Sequence, residues 1–310
     1  MLKESERILE LETNLNEEKS NNERLQRKLE QLTKAKNELE RNSSAVKNIL
    51  LIGRTGNGKS TLANILTNTN NFQESPSSTS ETRKIKTGKF IHNGQKYQII
   101  DTIGIGDTKL SEVEVLDELL RAISNSKDGI HRIFLVISKR LTKEEIATYH
   151  LLKDVIFTED IASHITIVRT NFPDFQDEQK CFEDRKKIQE ESDKLSDITN
   201  SAKIIYVDNP STDIRSREKS RNILLKHLVS YQNIYKTLQF DELINLINNY
   251  INKAERVEII RAKLREVNGK ISNKEGDKEI KKIEKELENS QQEKENALAK
   301  VMKSIKEKKE

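Results

Sequence analysis

The chain has little of what a cross-linked or membrane-spanning protein needs. Of its 310 residues one is cysteine, three are proline, none is tryptophan, and aromatics make up 5%. A lone Cys181 excludes an internal disulfide framework and fits a reducing compartment. No apolar run approaches the ~20 residues a helix needs to cross a bilayer, and the opening MLKESERILE has no apolar stretch of the secretory kind. An excess of one charge is missing too. Lys and Arg number 55 against 51 Asp and Glu, a net charge of +4 with the signs interleaved. Such near balance points neither to a nucleic-acid partner nor to an anionic membrane. These absences lead to the expectation of a soluble, cytoplasmic protein with no transmembrane segment.

What is present is unevenly placed. Hydrophobic residues are 34% and charged residues 34%, too polar for one compact globule throughout. Residues 1–45 and 241–310 are dense in Lys and Glu, while all three prolines (Pro76, Pro173, Pro210) fall between them. Three parts follow: a coiled-coil helix at 1–45, a nucleotide-binding domain at 46–238, and a charged helical extension at 239–310. The first repeats every seven residues, with Ile8, Leu15, Asn22 and Leu29 at a and Leu11, Leu25, Leu32 and Leu39 at d. That seam predicts self-association through a coiled coil, set against a single solvated helix, since Glu4, Glu18 and Lys36 thin it. In the last part Val257, Ile260, Leu264, Val267 and Ile271 form a stripe that lapses near Gly276. One long helix, a helical hairpin and a partly disordered tail all fit that pattern.

The middle alternates apolar runs with helical stretches. Strands are expected at NILLIG from Asn48, in a hairpin turning at Asn93-Gly94, and at 133–138, 165–170 and 202–208. Helices are expected at roughly 111–125, 143–155, 177–198 and 216–236. This is an α/β pattern: a mainly parallel P-loop sheet of the Ras-like kind, with one antiparallel edge strand.

Three loops carry the chemistry. Gly53, Arg54, Thr55, Gly56, Asn57, Gly58, Lys59, Ser60 and Thr61 spell GxxxxGK[ST] and its successor, between a buried strand and a helix. Glycines there turn backbone amides toward a β-phosphate, Lys59 reaches the β/γ oxygens, and Ser60 ligates Mg²⁺. The competing reading, a plain glycine turn, does not need that strand–loop–helix context. Asp101-Thr-Ile-Gly104 ends the next strand: Asp101 is placed to hold Mg²⁺ and Gly104 to meet a γ-phosphate. A further Mg²⁺ hydroxyl is needed from the polar loop 69–82, where Thr79, Ser80 and Thr82 are available. Asn171-Phe-Pro-Asp174 resembles NKxD with Phe172 in place of Lys. An Asp at that place accepts from guanine N1 and N2, which adenine cannot supply. Asp208-Asn209 follows the last strand and is placed to close over the base.

Together these loops resemble the immunity-associated nucleotide-binding GTPases (the AIG-type G domain), relatives of septins and chloroplast import GTPases, over residues 47–236. The most specific element is Lys139-Arg140-Leu-Thr142-Lys-Glu144-Glu145, which looks like that family's box RxTxEE. The resemblance places the first-switch hydroxyl on Thr82, the base-reading acid on Asp174 and the last contact on Asn209. It implies GTP and GDP binding, dimerisation through the G face and slow hydrolysis. Ile105, where many small GTPases carry a water-orienting Gln, agrees with slow turnover. Arg140 is then the candidate arginine finger, against a structural role paired with Glu144 or Glu145. The alternative function is a coiled-coil scaffold whose G domain binds nucleotide with little turnover; a P-loop ATPase or kinase is the weaker third. The five histidines show no metal-like spacing.

Overall fold

The computed structural model describes residues 19, 23–33, 45–72, 85–102, 104, 112–157, 159–190, 198–210, 212–236, 240–270 and 274–307. The chain divides into two compact units, Met1–Val46 with Asn93–Lys96, and Lys47–His92 with Tyr97–Glu310. In the first, residues 23–33 are helical. Leu25, Leu29 and Leu32 stand 60–66% exposed on that helix.

A six-stranded sheet runs in the order β2-β3-β1-β4-β5-β6. Its strands are β1 (Lys47–Ile52), β2 (Lys86–His92), β3 (Gln95–Asp101), β4 (Ile130–Ile137), β5 (Ile165–Arg169) and β6 (Lys203–Tyr206). β1 runs parallel to β3 on one side and to β4 on the other. Next, β4 pairs with β5 and β5 with β6, both parallel. The edge strand β2 turns back through Asn93 (φ 49°) and Gly94 (φ 77°). Two successive positive φ values make the type I′ hairpin that Asn-Gly announces.

Helices cover both faces, which is why β1 and β4 are buried at every position. The alternation of side chains splits β1 between two cores. Ile49 and Leu51 pack with Leu62 and Leu66 of α1 (Lys59–Thr67) and Leu224 and Leu228 of α5 (Ile214–Val229). Leu50 and Ile52 face Leu119, Leu120 and Ile123 of α2 (Glu112–Ser124). Each such buried side chain contributes about 1.5–3 kcal/mol. Between β4 and β5, α3 (Lys143–His150) runs into a π-helical turn, Leu151–Ile156, and a 3₁₀ segment, Glu159–His164. After β5 comes α4 (Glu178–Glu190).

The last two helices, α6 (Phe240–Lys270) and α7 (Lys274–Glu307), form a helical hairpin. Its antiparallel run is marked by the ion pairs Lys253–Glu293 and Arg256–Glu286. The hairpin joins the α2-side core directly: Phe240, Leu243, Ile247, Tyr250, Val301 and Ile305 belong to the same apolar cluster as Leu50 and Ile52. Arg121 of α2 reaches Glu255 of α6 at 3.4 Å. Among the described residues no helix is long and apolar enough to cross a membrane.

Two elements differ from the sequence expectation. β4 begins at Ile130, three residues before the apolar run, because His131 and Arg132 are buried strand residues at 0% and 1% exposure. The Arg132 guanidinium lies 3.5 Å from the Tyr231 ring centroid and donates to the Ser163 carbonyl at 3.2 Å. The His131 ring nitrogens face the carbonyls of Asn233 and Leu228, each at 3.3 Å. These contacts explain the second difference. α5 stops at Val229 instead of 236, and the following segment bridges antiparallel to β4 through Tyr235 and Ile130.

Candidate functional site

The central strand ends where the sheet order reverses, with β3 on one side and β4 on the other, the place where parallel α/β sheets form their crevice. The loop after β1 leads into α1 at Gly58, whose φ of 84° is left-handed and costs a glycine little. Among the described residues no side chain caps α1, so its first-turn N–H groups and partial positive charge are not spent on their side chains. Lys59 folds back over this loop at 7% exposure, donating to the carbonyls of Gly53 at 2.8 Å and Arg54 at 3.0 Å. Burial lowers its ammonium to about 8, with Asp101 and Glu145 pulling the other way.

Ser60, in the first turn of α1, donates from Oγ to Asp101 Oδ2 at 2.8 Å. Asp101 is fully buried, and its Oδ1 has no hydrogen-bond partner among the described residues. Burial pushes its carboxyl up, and the Lys59 charge opposes that. Gly104 lies against the loop: a Cβ there would sit 1.9 Å from Thr55 Oγ1, so no larger residue fits. Thr55 Oγ1 is itself buried without a partner among the described residues. Thr61 follows Ser60, partly buried in the same helical turn. Thus Gly53 to Thr61, Asp101 and Gly104 converge at one point. Thr82, with Thr79 and Ser80, lies outside the described residues, as does Ile105.

The second half of the site hangs from β5 and β6. Asn171 adopts a left-handed φ of 52°. Phe172 packs on Tyr206 with ring centroids 5.0 Å apart, and its N–H donates to the Val207 carbonyl at 3.3 Å, joining the two loops. Asp174 is half exposed and paired with Lys180 at 2.7 Å. Asn209 is 8% exposed, and neither atom of its side-chain amide has a partner among the described residues. A buried amide left in that state costs about 1–3 kcal/mol unless something arrives to pair with it. The orphaned acceptor of Asp101 and the orphaned amide of Asn209 are what a polar ligand spanning both loops would satisfy.

The box lies beside the phosphate loop. Thr142 caps α3, and Glu145 completes a capping box by accepting the Thr142 N–H at 2.9 Å. Sequence reasoning missed a further contact: Asn57 Nδ2 donates to Glu145 Oε1 at 2.6 Å and to the Val136 carbonyl at 2.8 Å. Thr142-x-x-Glu145 is legible as a helix start, but nothing in the sequence links it to Asn57. Arg140 is exposed and, with Arg54, Asn57, Lys139 and Glu145, lines a cavity of about 380 Å³.

A buried parallel sheet, a glycine loop opening a helix and a Ser–Asp pair beneath a buried lysine define a P-loop nucleotide-binding domain of Ras-like topology. The chain belongs to the AIG1 family, whose model matches residues 47–244, more than half of it. Immune-associated nucleotide-binding protein 4 of Arabidopsis thaliana is 28% identical over 234 residues, which cover 74% of this chain and 69% of that one. Protein 10 of the same name and organism is 29% identical over 188 residues, 59% of this chain and 40% of that one. The matched region therefore spans well under half the length of the second relative. Among solved structures, Toc33 from Arabidopsis thaliana in complex with GDP and Mg²⁺ is 15% identical with a TM-score of 0.44, covering 66% of this chain and 93% of that one.

Proposed function

We propose that this chain is a guanine-nucleotide switch that binds GTP and GDP with Mg²⁺, dimerises through the face around the nucleotide and hydrolyses GTP slowly. The observation that carries the reading is the buried Lys59 beside a Ser60–Asp101 pair whose second carboxylate oxygen has no partner among the described residues. Backbone amides of Arg54 to Thr61 and the Lys59 ammonium bind the phosphates, replacing the two carbonyls Lys59 now holds. Ser60 and Asp101, with Thr82, would hold a Mg²⁺ ion, which would supply positive charge against that of the phosphates. Gly104 presents its amide to the γ-phosphate. Asp174 exchanges Lys180, a half-exposed and weakly held partner, for the guanine N1 and N2 donors. Asn171 and Asn209 flank the base.

Slow turnover follows from Ile105 in the Gln position. Arg140, exposed beside the loop, is the group a second copy offers across the dimer, and the N-terminal heptads bring two copies together as a homo-oligomer. A cytoplasmic location is part of the same reading.

Calorimetric titration of the full chain with GTP, GDP and ATP in Mg²⁺, alongside Asp174→Asn, tests it. The expected result is guanine binding, weakened about tenfold or more in the variant by the loss of a charged hydrogen-bond acceptor. Equal binding of ATP, or no binding, would remove the guanine switch. Arg140→Ala is expected to slow hydrolysis by at least about 10³-fold at high protein concentration, the lower side of what an arginine finger supplies. Unchanged turnover ends the finger assignment.

A further inference from the structure

Glu145 is the one charged residue of the box that is buried. It is 2% exposed, while its neighbours Lys143 and Glu144 in the first turn of α3 face solvent. A glutamate that only caps a helix has no need of burial, and burial here works against its charge, pushing the carboxyl up. Capping accounts for one oxygen: Oε2 accepts the Thr142 N–H, and Thr142 Oγ1 accepts the Glu145 N–H at 3.4 Å. The other oxygen, Oε1, accepts from Asn57 of the phosphate loop.

Asn57 is held from three sides besides. Its amide nitrogen also donates to the Val136 carbonyl of β4. Its amide oxygen accepts from Ser138 Oγ at 3.0 Å, and its backbone carbonyl accepts from Thr170 Oγ1 at 2.7 Å. Of these four holds, only Glu145 brings a charge and only Glu145 belongs to a separate helix. Its charge also bears on Lys59, helping to keep the ammonium protonated.

We propose that Glu145 is a positioning residue for the phosphate loop: through Asn57 it fixes the loop's shape, and so ties the box to the state of the nucleotide site. The proposal rests on the guanine-nucleotide reading above. It assigns the inward glutamate to nucleotide affinity and leaves Thr142 with helix capping alone.

The test is a double-mutant cycle in the full chain, read by titration with fluorescently labelled GDP and by melting without nucleotide. Asn57→Ala and Glu145→Ala are each expected to weaken GDP binding about tenfold, the scale of one charged hydrogen bond. The double variant is expected to be no worse than either single one, because both remove the same contact. Thr142→Ala should lower the melting temperature and leave affinity within about twofold, a cap having been lost and the brace kept. Glu145→Gln keeps the volume but has one acceptor for two donors. It is expected to fold and to weaken GDP binding about threefold or more, so the proposal stays open to refutation if the alanine variants do not fold. Additive single effects, an unchanged Glu145 variant, or a Thr142→Ala loss equal to that of Glu145→Ala would overturn it. A chain that binds no nucleotide overturns the guanine reading and this proposal together; one that binds with additive variants overturns this proposal alone.

Discussion

The two ends of the sheet bury polar groups for opposite purposes. At the C-terminal ends of β1, β3 and β6, Asp101 and Asn209 are buried with atoms that no described residue satisfies. At the N-terminal ends of β4 and β5, His131, Arg132 and His164 are as deeply buried, but apart from the donor Arg132 Nε, which has no hydrogen-bond partner among the described residues, they meet carbonyls and rings of the same chain. Here Arg132 and His131 fasten the segment after α5 to the sheet. Burial of a charged residue type alone therefore does not mark a site. What marks the first end is burial combined with uncapped helix amides and acceptors left over.

The comparison breaks most sharply with pH. Burial lowers His131 and His227 to about 3 each, so both stay neutral in the folded chain where the unfolded chain binds a proton. The stability these two imidazoles contribute is thus constant above pH 6.5 and falls as the pH drops below it. The loss is about 1.4 kcal/mol per pH unit for each imidazole until the folded values are reached. At pH 4.5 the two together cost about 5 kcal/mol, measurable as a drop in urea midpoint. The nucleotide end fails in the other direction. Lys59, lowered to about 8 by burial, loses its proton above that pH, so GDP affinity of the nucleotide-free chain should decline as the pH rises above about 8.

Arg132→Ala sharpens the contrast from the structural end. It empties a fully buried large side chain, and the expected cost is about 3 kcal/mol with GDP affinity unchanged. A loss of affinity of similar size would mean that the two ends are coupled. Lys59→Met is the smaller, reciprocal change. It should weaken GDP binding by about 2 kcal/mol, close to 30-fold, while the nucleotide-free melting temperature moves little. A large fall in that melting temperature would instead make Lys59 a structural residue like Arg132.

Much of the first end was legible in the sequence and little of the second. The run NILLIG, the glycine spacing and KST state a strand, a turn and a helix start in consecutive residues, so local chemistry alone places Lys59 and Ser60. Asn93-Gly94 likewise encodes its own turn. The start of β4 was hidden because His131 and Arg132 read as surface residues until Tyr231, Asn233 and Ser163 arrive from elsewhere in the chain. For the same reason a helix to 236 was expected where Tyr235 bridges Ile130. The Asn57–Glu145 contact joins residues 88 positions apart, and pattern reading carries no term for such a pairing. The C-terminal stripe left one long helix, a helical hairpin and a partly disordered tail all open, since the choice is made by what the faces meet.

The sharing of one apolar cluster by Leu50, Ile52, Val301 and Ile305 sets an order of events during synthesis. Strand β1 is made early, yet the face it presents to α2 stays incompletely covered until residues some 250 positions later have left the ribosome. The opposite face closes sooner, its last described member being Leu228. A nascent chain thus carries one finished side and one greasy side for much of its translation, which is the interval in which a holding chaperone has something to bind.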